Sequence, residues 1–304
     1  MRIVSLLPSA TEMVYALGLG DQLIGVSHEC DYPPEAKGKA VMITPTVDPG
    51  VLDSLEIDRR ISARLMAGES VYILDEEALR EADPDLVLTQ EVCDVCAVAY
   101  RQVEAAAGRL PRKPEILSLD PKSLWDVVKD LQRVATATGT TTQAKAVVSD
   151  LRRRVELVIE RAKEAATRPR VVCLEWLDPL YNAGHWVPEM VELAGGEDLL
   201  AIKGMPSIKI PWERVLAARP EVLILMPCGF DIQRTLKEIH LVTRRPGWTD
   251  LPAVTGRRVY AVNGHAYFNR PGPRLADGLE ILAHLFNPGL FPVPPPTGAV
   301  QRLT

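Results

Sequence analysis

Short runs of valine, isoleucine and leucine alternate along this chain with stretches whose apolar residues recur every three or four positions. The runs Arg2 to Leu7, Leu23 to Ser27, Val71 to Leu74, Leu86 to Gln90 and Ile116 to Leu119 predict buried strands, with helical patterns between most of them. Strands that are apolar on both faces and alternate with helices belong in parallel sheets, because the crossover helices cover both sides. The first strand turns at Pro8-Ser9 into a helix from about Ala10 to Leu17. The stretch from Asp48 to Gly68 is ambiguous, and its Ser54 to Met66 portion fits either a helix or a mobile flap. After Pro169 a second series opens with strand Arg170 to Leu174, continues with Val222 to Met226 and Val259 to Val262, and closes on a helix from about Arg274 to Phe286.

Between the two series the period is helical throughout. Leu124, Val127, Val128, Leu131 and Val134 share one face until Gly139, a plausible stop. A second helix starts in the Thr140 to Thr142 cluster and carries Val147, Val148, Leu151, Val155, Val158 and Ile159 to about Ala166. At ~1.5 Å per residue it spans roughly 35 Å, enough to bridge two small domains. The expected fold class is therefore α/β: two small doubly wound lobes with parallel sheets, joined by one long α-helix, with a ligand cleft between them. The lobes are assigned to 1–120 and 168–287, the linking helices to 121–167. The remaining 288–304, with Pro292, Pro294, Pro295 and Pro296, is expected to be a poorly ordered tail without a core of its own.

One pattern occurs twice. Glu77 to Pro84 followed by Asp85-Leu86-Val87-Leu88-Thr89-Gln90 matches Glu213 to Pro220 followed by Glu221-Val222-Leu223-Ile224-Leu225-Met226: a short helix, a proline stop and a buried strand. Ligands in such sheets bind beyond the carboxyl ends of strands. Cys93 and Cys96 follow the first copy, and Cys228 follows the second.

Composition narrows the function. Of 304 residues 47% are hydrophobic and 25% charged, ordinary for a globular protein, and the net charge of −5 provides no basic footprint for nucleic acid and no polybasic membrane anchor. No stretch approaches a membrane-spanning length. The N-terminus has only Arg2 as positive charge and no long apolar region before a small-residue cleavage site, so it does not read as a signal peptide. A cytoplasmic location follows as the expectation, with a periplasmic or extracellular one if an export signal has been removed. The five cysteines are expected to be reduced thiols, since a chain of this size does not need a disulfide framework.

Two α/β lobes joined by a helix, with Leu7-Pro8-Ser9-Ala10-Thr11-Glu12, Gly25-Val26-Ser27, Asp31-Tyr32-Pro33-Pro34, Pro84-Asp85-Leu86-Val87, Ala194-Gly195-Gly196-Glu197 and Pro211-Trp212, resemble the helix-linked class of ABC-importer substrate-binding proteins. Within that class the resemblance is to the cobalamin-binding and ferric-siderophore-binding proteins, and it covers nearly all of 1–287. It implies a binding protein that catalyses no chemical step, with cobalamin or another corrinoid as ligand and an ABC-transporter membrane subunit as partner. It also implies that Glu77 and Glu213, each opening the helix before its repeated strand, dock on arginines of the transporter. The competing account of these two residues is that acidic side chains oppose the helix macrodipole, for about 0.3–1 kcal/mol. The chain departs from the family pattern in lacking an export signal, in the stretch around Asp48 to Gly68, and in Cys93-Asp94-Val95-Cys96.

The expected cleft-lining segments are His28 to Tyr32, Gln90 to Cys96, Glu175-Trp176 through Tyr181 to Trp186, Pro227-Cys228 and His265 to Arg270. Ligand contacts are assigned to Tyr32, Gln90, Glu175, Trp176, Tyr181, His185, Trp186, Phe268 and Arg270. The aromatics supply the flat area a planar macrocycle needs, and a neutral imidazole such as His185 can ligate its central metal. Arg270 and Arg274 are placed to meet carboxylates or amides of a ligand. Zinc or iron is assigned to Cys30, Cys93, Cys96 and Cys228 with His28, because thiolates and imidazoles are the ligands such metals prefer. The two-residue gap between Cys93 and Cys96 is a metal or redox spacing, and a helix N-terminus would lower a thiol's pKa there. Cys173, mid-strand, is expected in the core. An alternative is a cytoplasmic enzyme with Cys93 or Cys96 as thiolate or metal ligand and His28, Glu29 or His185 as acid or base. Binding of a transition metal alone is a third reading. No Gly-x-Ser-x-Gly elbow, Gly-x-Gly-x-x-Gly turn or phosphate loop is present.

Overall fold

The computed structural model describes residues 1–91 and 100–304. They form two compact units. Unit 1 comprises 1–52, 56–121 and 125–150, and unit 2 comprises 53–55, 122–124 and 151–304. In chain order the first series is β1 (Ile3–Ser5), α1 (Pro8–Ala16), β2 (Leu23–Ser27), β3 (Ala40–Pro45), α2 (Ser54–Met66), β4 (Tyr72–Leu74), α3 (Glu76–Ala82), β5 (Leu86–Thr89), α4 (Tyr100–Gly108), β6 (Glu115–Ser118), α5 (Leu124–Ala137) and α6 (Thr141–Ala162). The second begins with β7 (Arg170–Leu177), β8 (Leu180–Asn182), α7 (Val187–Leu193), β9 (Glu197–Asp198), α8 (Trp212–Ala218) and β10 (Val222–Leu225). It continues with α9 (Ile232–Lys237), α10 (His240–Thr243), α11 (Pro252–Thr255), β11 (Val259–Val262), α12 (Gly264–Tyr267), α13 (Leu275–Phe286) and β12 (Val300–Arg302).

The first sheet runs β4-β3-β2-β1-β5-β6 and the second β12-β11-β10-β7-β8, with β9 also on β7. Both are parallel at the centre. At three of the four edges they are not: β4 is antiparallel to β3, β8 to β7, and β12 to β11, while β6 is parallel to β5. The all-parallel expectation holds where crossover helices join the strands and fails where short segments cover an edge. The same reason corrects the expected tail. Val300–Arg302 pairs with Val262–Tyr260, and Ala299 is fully buried, so the last residues complete the sheet of unit 2.

The repeated pattern is a device for registering strands. Each copy ends its helix on a left-handed residue before proline, Asp83 (φ 38°) and Arg219 (φ 46°), whose N–H donates to the carbonyl three residues back at 3.2 Å. The next acidic side chain then grips the start of the central strand. Asp85 Oδ2 accepts the Arg2 N–H at 2.7 Å while Asp85 N–H donates to the Arg2 carbonyl at 2.8 Å. Glu221 Oε2 accepts the Arg170 N–H at 2.9 Å while Glu221 N–H donates to the Arg170 carbonyl at 2.8 Å. The main-chain bond from Arg2, reinforced by the Arg112 charge, holds the Asp85 carboxyl below the ordinary range.

Each unit has its own core. Val4, Met42, Ile43, Leu79, Val87 and Val103 fill unit 1, and Val172, Leu174, Leu223, Leu225, Val215 and Val259 with Trp212 and Trp248 fill unit 2. The ambiguous stretch after β3 contains a helix, α2. The division between units falls inside α6, between Asp150 and Leu151. The second half of α6 is fastened to α13, where Arg154 donates to Glu280 Oε1 at 2.8 Å and also to Asp277. The Ala194-Gly195-Gly196 motif is explained by Gly195 at φ 87° and by Gly196, where a Cβ would stand 2.8 Å from the Phe286 ring.

Among the described residues of unit 1, Asp130 is a poorly compensated carboxylate. Asp130 on α5 is 4% exposed; its Oδ1 accepts from Arg133 at 2.8 Å, but its Oδ2 is buried without a partner among the described residues. Burial pushes its pKa up to about 6, with Asp120 and Asp126 adding to the rise and Arg133 opposing it. The folded protein then holds a proton that the unfolded chain gives up, so this stabilisation is complete in acid and lost as pH rises through about 6. Asp130→Asn should raise the melting temperature at pH 7.5, and the gain should vanish by about pH 5. Thermal melts across that range check it; a gain independent of pH would contradict the assignment.

Candidate ligand-binding site

In unit 1 the strand ends carry a chain of small polar groups. Ser5 Oγ donates to the Leu7 carbonyl at 3.0 Å, and Thr11 Oγ1 lies 2.9 Å from Ser5 Oγ and 3.1 Å from Cys30 Sγ. Cys30 is only 3% exposed. Its thiol meets the Thr11 hydroxyl, and among the described residues it belongs to no group of three or more metal-ligating side chains. His28 follows β2, with Nδ1 3.1 Å from the Ile43 carbonyl oxygen and its ring 5.9 Å from that of Tyr72. Donation from Nδ1 to that carbonyl leaves Nε2, 3.9 Å from Glu29 Oε1, as the basic nitrogen. Tyr32 is exposed and Gln90, just past β5, is buried. Cys93 and Cys96 lie outside the described residues.

Unit 2 gathers a denser group. Trp176 on β7 is paired across strands with Tyr181 on β8, which places both rings on one face of the sheet. The Trp176 indole N–H lies 3.1 Å from both the Ser54 and the Asp178 carbonyl oxygens, and its ring centre is 5.0 Å from that of Phe230, tilted by 50°. Lys209 sits 5.6 Å above the Tyr181 ring. Glu175 Oε1 accepts the Gly184 N–H at 3.3 Å, and the Glu175 carbonyl accepts the Cys228 N–H at 2.9 Å. Cys228 itself is exposed.

His185 is held in the left-handed region at φ 52°, a conformation that costs a non-glycine residue about 1–2 kcal/mol. Its main chain is gripped on both sides, N–H to the Met205 carbonyl at 2.6 Å and carbonyl from the Gly204 N–H at 2.8 Å. Burial, and then the Lys122 charge, lower the imidazole pKa, so the ring is neutral at neutral pH with a lone pair to offer. Its ring centre lies 5.5 Å from that of Trp186.

Three expected contacts turn out to be interior. Phe268 is fully buried and Trp186 is 8% exposed, with its indole N–H donating to the Phe268 carbonyl at 2.7 Å. Arg270 is 6% exposed, and its Nη2 lies 3.2 Å from His265 Nδ1. Arg274 covers the Tyr267 ring at 5.8 Å. Cys173 is buried as expected, and burial raises its thiol pKa. Sequence reasoning missed Phe230, Lys209 and Ser54. Of these only Phe230, two residues past Cys228, carried a signal, as an aromatic beyond a strand end.

Among the described residues no cluster of three or more His, Cys, Asp or Glu side chains is placed to hold a metal ion. A cavity of about 320 Å³ in unit 2 is lined by Arg168, Glu192, Glu197, Asp198, Ala201 and Lys203 among others, and by none of the residues assigned to ligand contact. Trp176, Tyr181 and His185, assigned to ligand contact, are half-buried and lie outside that cavity's lining. No helix among the described residues is long and apolar enough to cross a membrane.

Two α/β units with aromatic and imidazole groups at strand ends define a ligand-binding protein of the substrate-capturing kind. A family model described as periplasmic binding protein matches residues 3–265, and the chain belongs to that family. It is 29% identical over 281 residues to a vitamin B12-binding protein of Pectobacterium atrosepticum, covering 90% of this chain and 84% of that one. It is 26% identical over 290 residues to the vitamin B12-binding protein of Vibrio cholerae, covering 92% and 86%. Among solved structures, the periplasmic heme-binding protein RhuT from Roseiflexus sp. RS-1 aligns with a TM-score of 0.70 at 24% identity, over 95% of this chain and 98% of that one, and shares the fold.

The lowered pKa of His185 has a measurable consequence. The unfolded chain takes up a proton on this ring before the folded one does, so stability is lost as pH falls below the ordinary histidine value of about 6.5. His185→Gln should flatten the decline in melting temperature between pH 7.5 and pH 5. An identical decline in wild type and variant would show that the ring titrates freely.

Proposed function

We propose that this protein captures cobalamin or a similar metal-containing planar macrocycle, another corrinoid or a haem, for an ABC importer. The observation that carries the reading is the pair of half-buried rings Trp176 and Tyr181 on one face of the sheet, with the buried Phe230 against Trp176, in the same unit as an imidazole kept neutral at His185. Flat rings bury the faces of a macrocycle, and a neutral imidazole is a fit axial ligand for its cobalt or iron. The kinship with vitamin B12-binding proteins supports the corrinoid, and the fold shared with a heme-binding protein supports the wider ligand class. Cell fractionation separates a cytoplasmic from a periplasmic or extracellular version of this role.

Absorbance titration with cyanocobalamin and with haemin tests the proposal. One of the two should bind at about 1:1 with a shifted visible band, and Trp176→Ala should weaken it about tenfold, equivalent to about 1.4 kcal/mol. Failure of both to bind would overturn it.

For delivery, Glu77 and Glu213 are proposed as the contacts to the transporter. Both are exposed in the first turns of α3 and α8, the matching helices of the two repeats. Charge reversal of either to Arg should leave ligand affinity unchanged and abolish stimulation of the transporter's ATPase in proteoliposomes. Undiminished stimulation would leave these glutamates as helix-terminus charges only.

A further inference from the structure

Ser54 opens α2 and is fully buried, although the residues leading to it, 48–53, are exposed or half-exposed. With Asp53 and Leu55 it belongs to unit 2. All three of its polar groups are held there. Its N–H donates to Glu238 Oε1 at 3.2 Å, its hydroxyl donates to Glu238 Oε2, and its carbonyl accepts the Trp176 indole N–H at 3.1 Å. Glu238 is 6% exposed and is paired with Arg234, whose Nη2 lies 2.7 Å from Oε1. The Arg234 guanidinium lies 4.3 Å above the Phe230 ring, and Phe230 in turn packs against Trp176.

These contacts close on themselves: Ser54, Glu238, Arg234, Phe230, Trp176 and back to Ser54. A buried carboxylate needs partners for its charge, and here one carboxylate organises both sides of the ring. Through Ser54 it presents the carbonyl that takes the indole N–H. Through Arg234 it fixes the phenyl ring on which the indole leans. With its N–H engaged by Ser54 and Asp178, Trp176 has a ring face to offer a ligand and no donor.

We propose that Glu238 is a positioning residue for ligand binding, setting the plane of the Trp176 indole through Ser54 on one side and through Arg234 and Phe230 on the other. The site is thereby selective for ligands that stack on an aromatic face over ligands that need a hydrogen bond from an indole. The inference rests on the reading of Trp176 as a ligand contact.

The test uses the full chain with Glu238→Ala and Glu238→Gln, the latter keeping an acceptor and the shape of the side chain. Without ligand, Glu238→Ala should speed hydrogen exchange of the Ser54 amide at least about tenfold and shift Trp176 emission to the red, isolated by difference against Trp176→Phe. Glu238→Gln should show smaller changes of the same sign, and it carries the test if the alanine variant does not fold. With whichever of haemin or cyanocobalamin the wild type takes up, Glu238→Ala should weaken binding about tenfold, and the loss should disappear in a Trp176→Ala background. Unchanged exchange and emission would overturn the proposal. So would a loss of affinity that persists undiminished without Trp176. If the wild type takes up neither probe, the ligand reading falls and takes the binding role of Glu238 with it, while the ligand-free measurements still decide whether Glu238 sets the indole.

Discussion

Both sheets depend on one repeated interaction, the reciprocal clamp between an acidic residue after a proline and the first main-chain groups of the central strand. Asp85 with Arg2 and Glu221 with Arg170 each exchange two hydrogen bonds at 2.7–2.9 Å. A slip of one residue in either pairing would turn every side chain of that strand to the opposite face. The clamp sits at the amino ends of β1 and β7, and what it secures is displayed at the other end. Ser5 and the Thr11–Cys30 contact follow from the register of β1, and Glu175, Trp176 and the pairing with Tyr181 follow from the register of β7.

The residues of unit 2 assigned to ligand contact differ in exposure. Phe268, Trp186 and Arg270 are withdrawn into the interior, while Trp176 and Tyr181 keep part of their surface open. A preorganised site requires that a ring meeting a ligand be held in place, and Trp176 is held by Phe230 and by the Ser54 and Asp178 carbonyls. The strained His185 fits the same picture, with its backbone fixed by Gly204 and Met205 and its imidazole left neutral by burial. A residue held against its conformational preference at a strand end is a common mark of a functional position.

Much of this was legible in the residues themselves. The strands β2 and β11 fall where the apolar runs place them, and the proline-stopped repeat announced two related units. What escaped was of three kinds. β3 has the apolar run Ala40 to Ile43 yet is absent from the expected strands, while β12, Val300–Arg302, is mostly polar and only its pairing with β11 makes it a strand. Trp186 and Phe268 stand beside strand ends, as the sequence indicates, but position along the chain does not say which way a ring faces. The capture of Ser54 by Glu238 joins residues 184 positions apart, and neither belongs to any motif.

The central claim is that a planar ligand meets the open aromatic face of unit 2. The most direct measurement is the indole N–H region of a nitrogen-15 NMR spectrum, recorded with and without cyanocobalamin, a diamagnetic probe, with the five tryptophans assigned by substitution. The account predicts that the Trp176 signal moves on binding while those of Trp212 and Trp248, buried in the core of unit 2, stay in place. Tight binding that leaves Trp176 unmoved would contradict it.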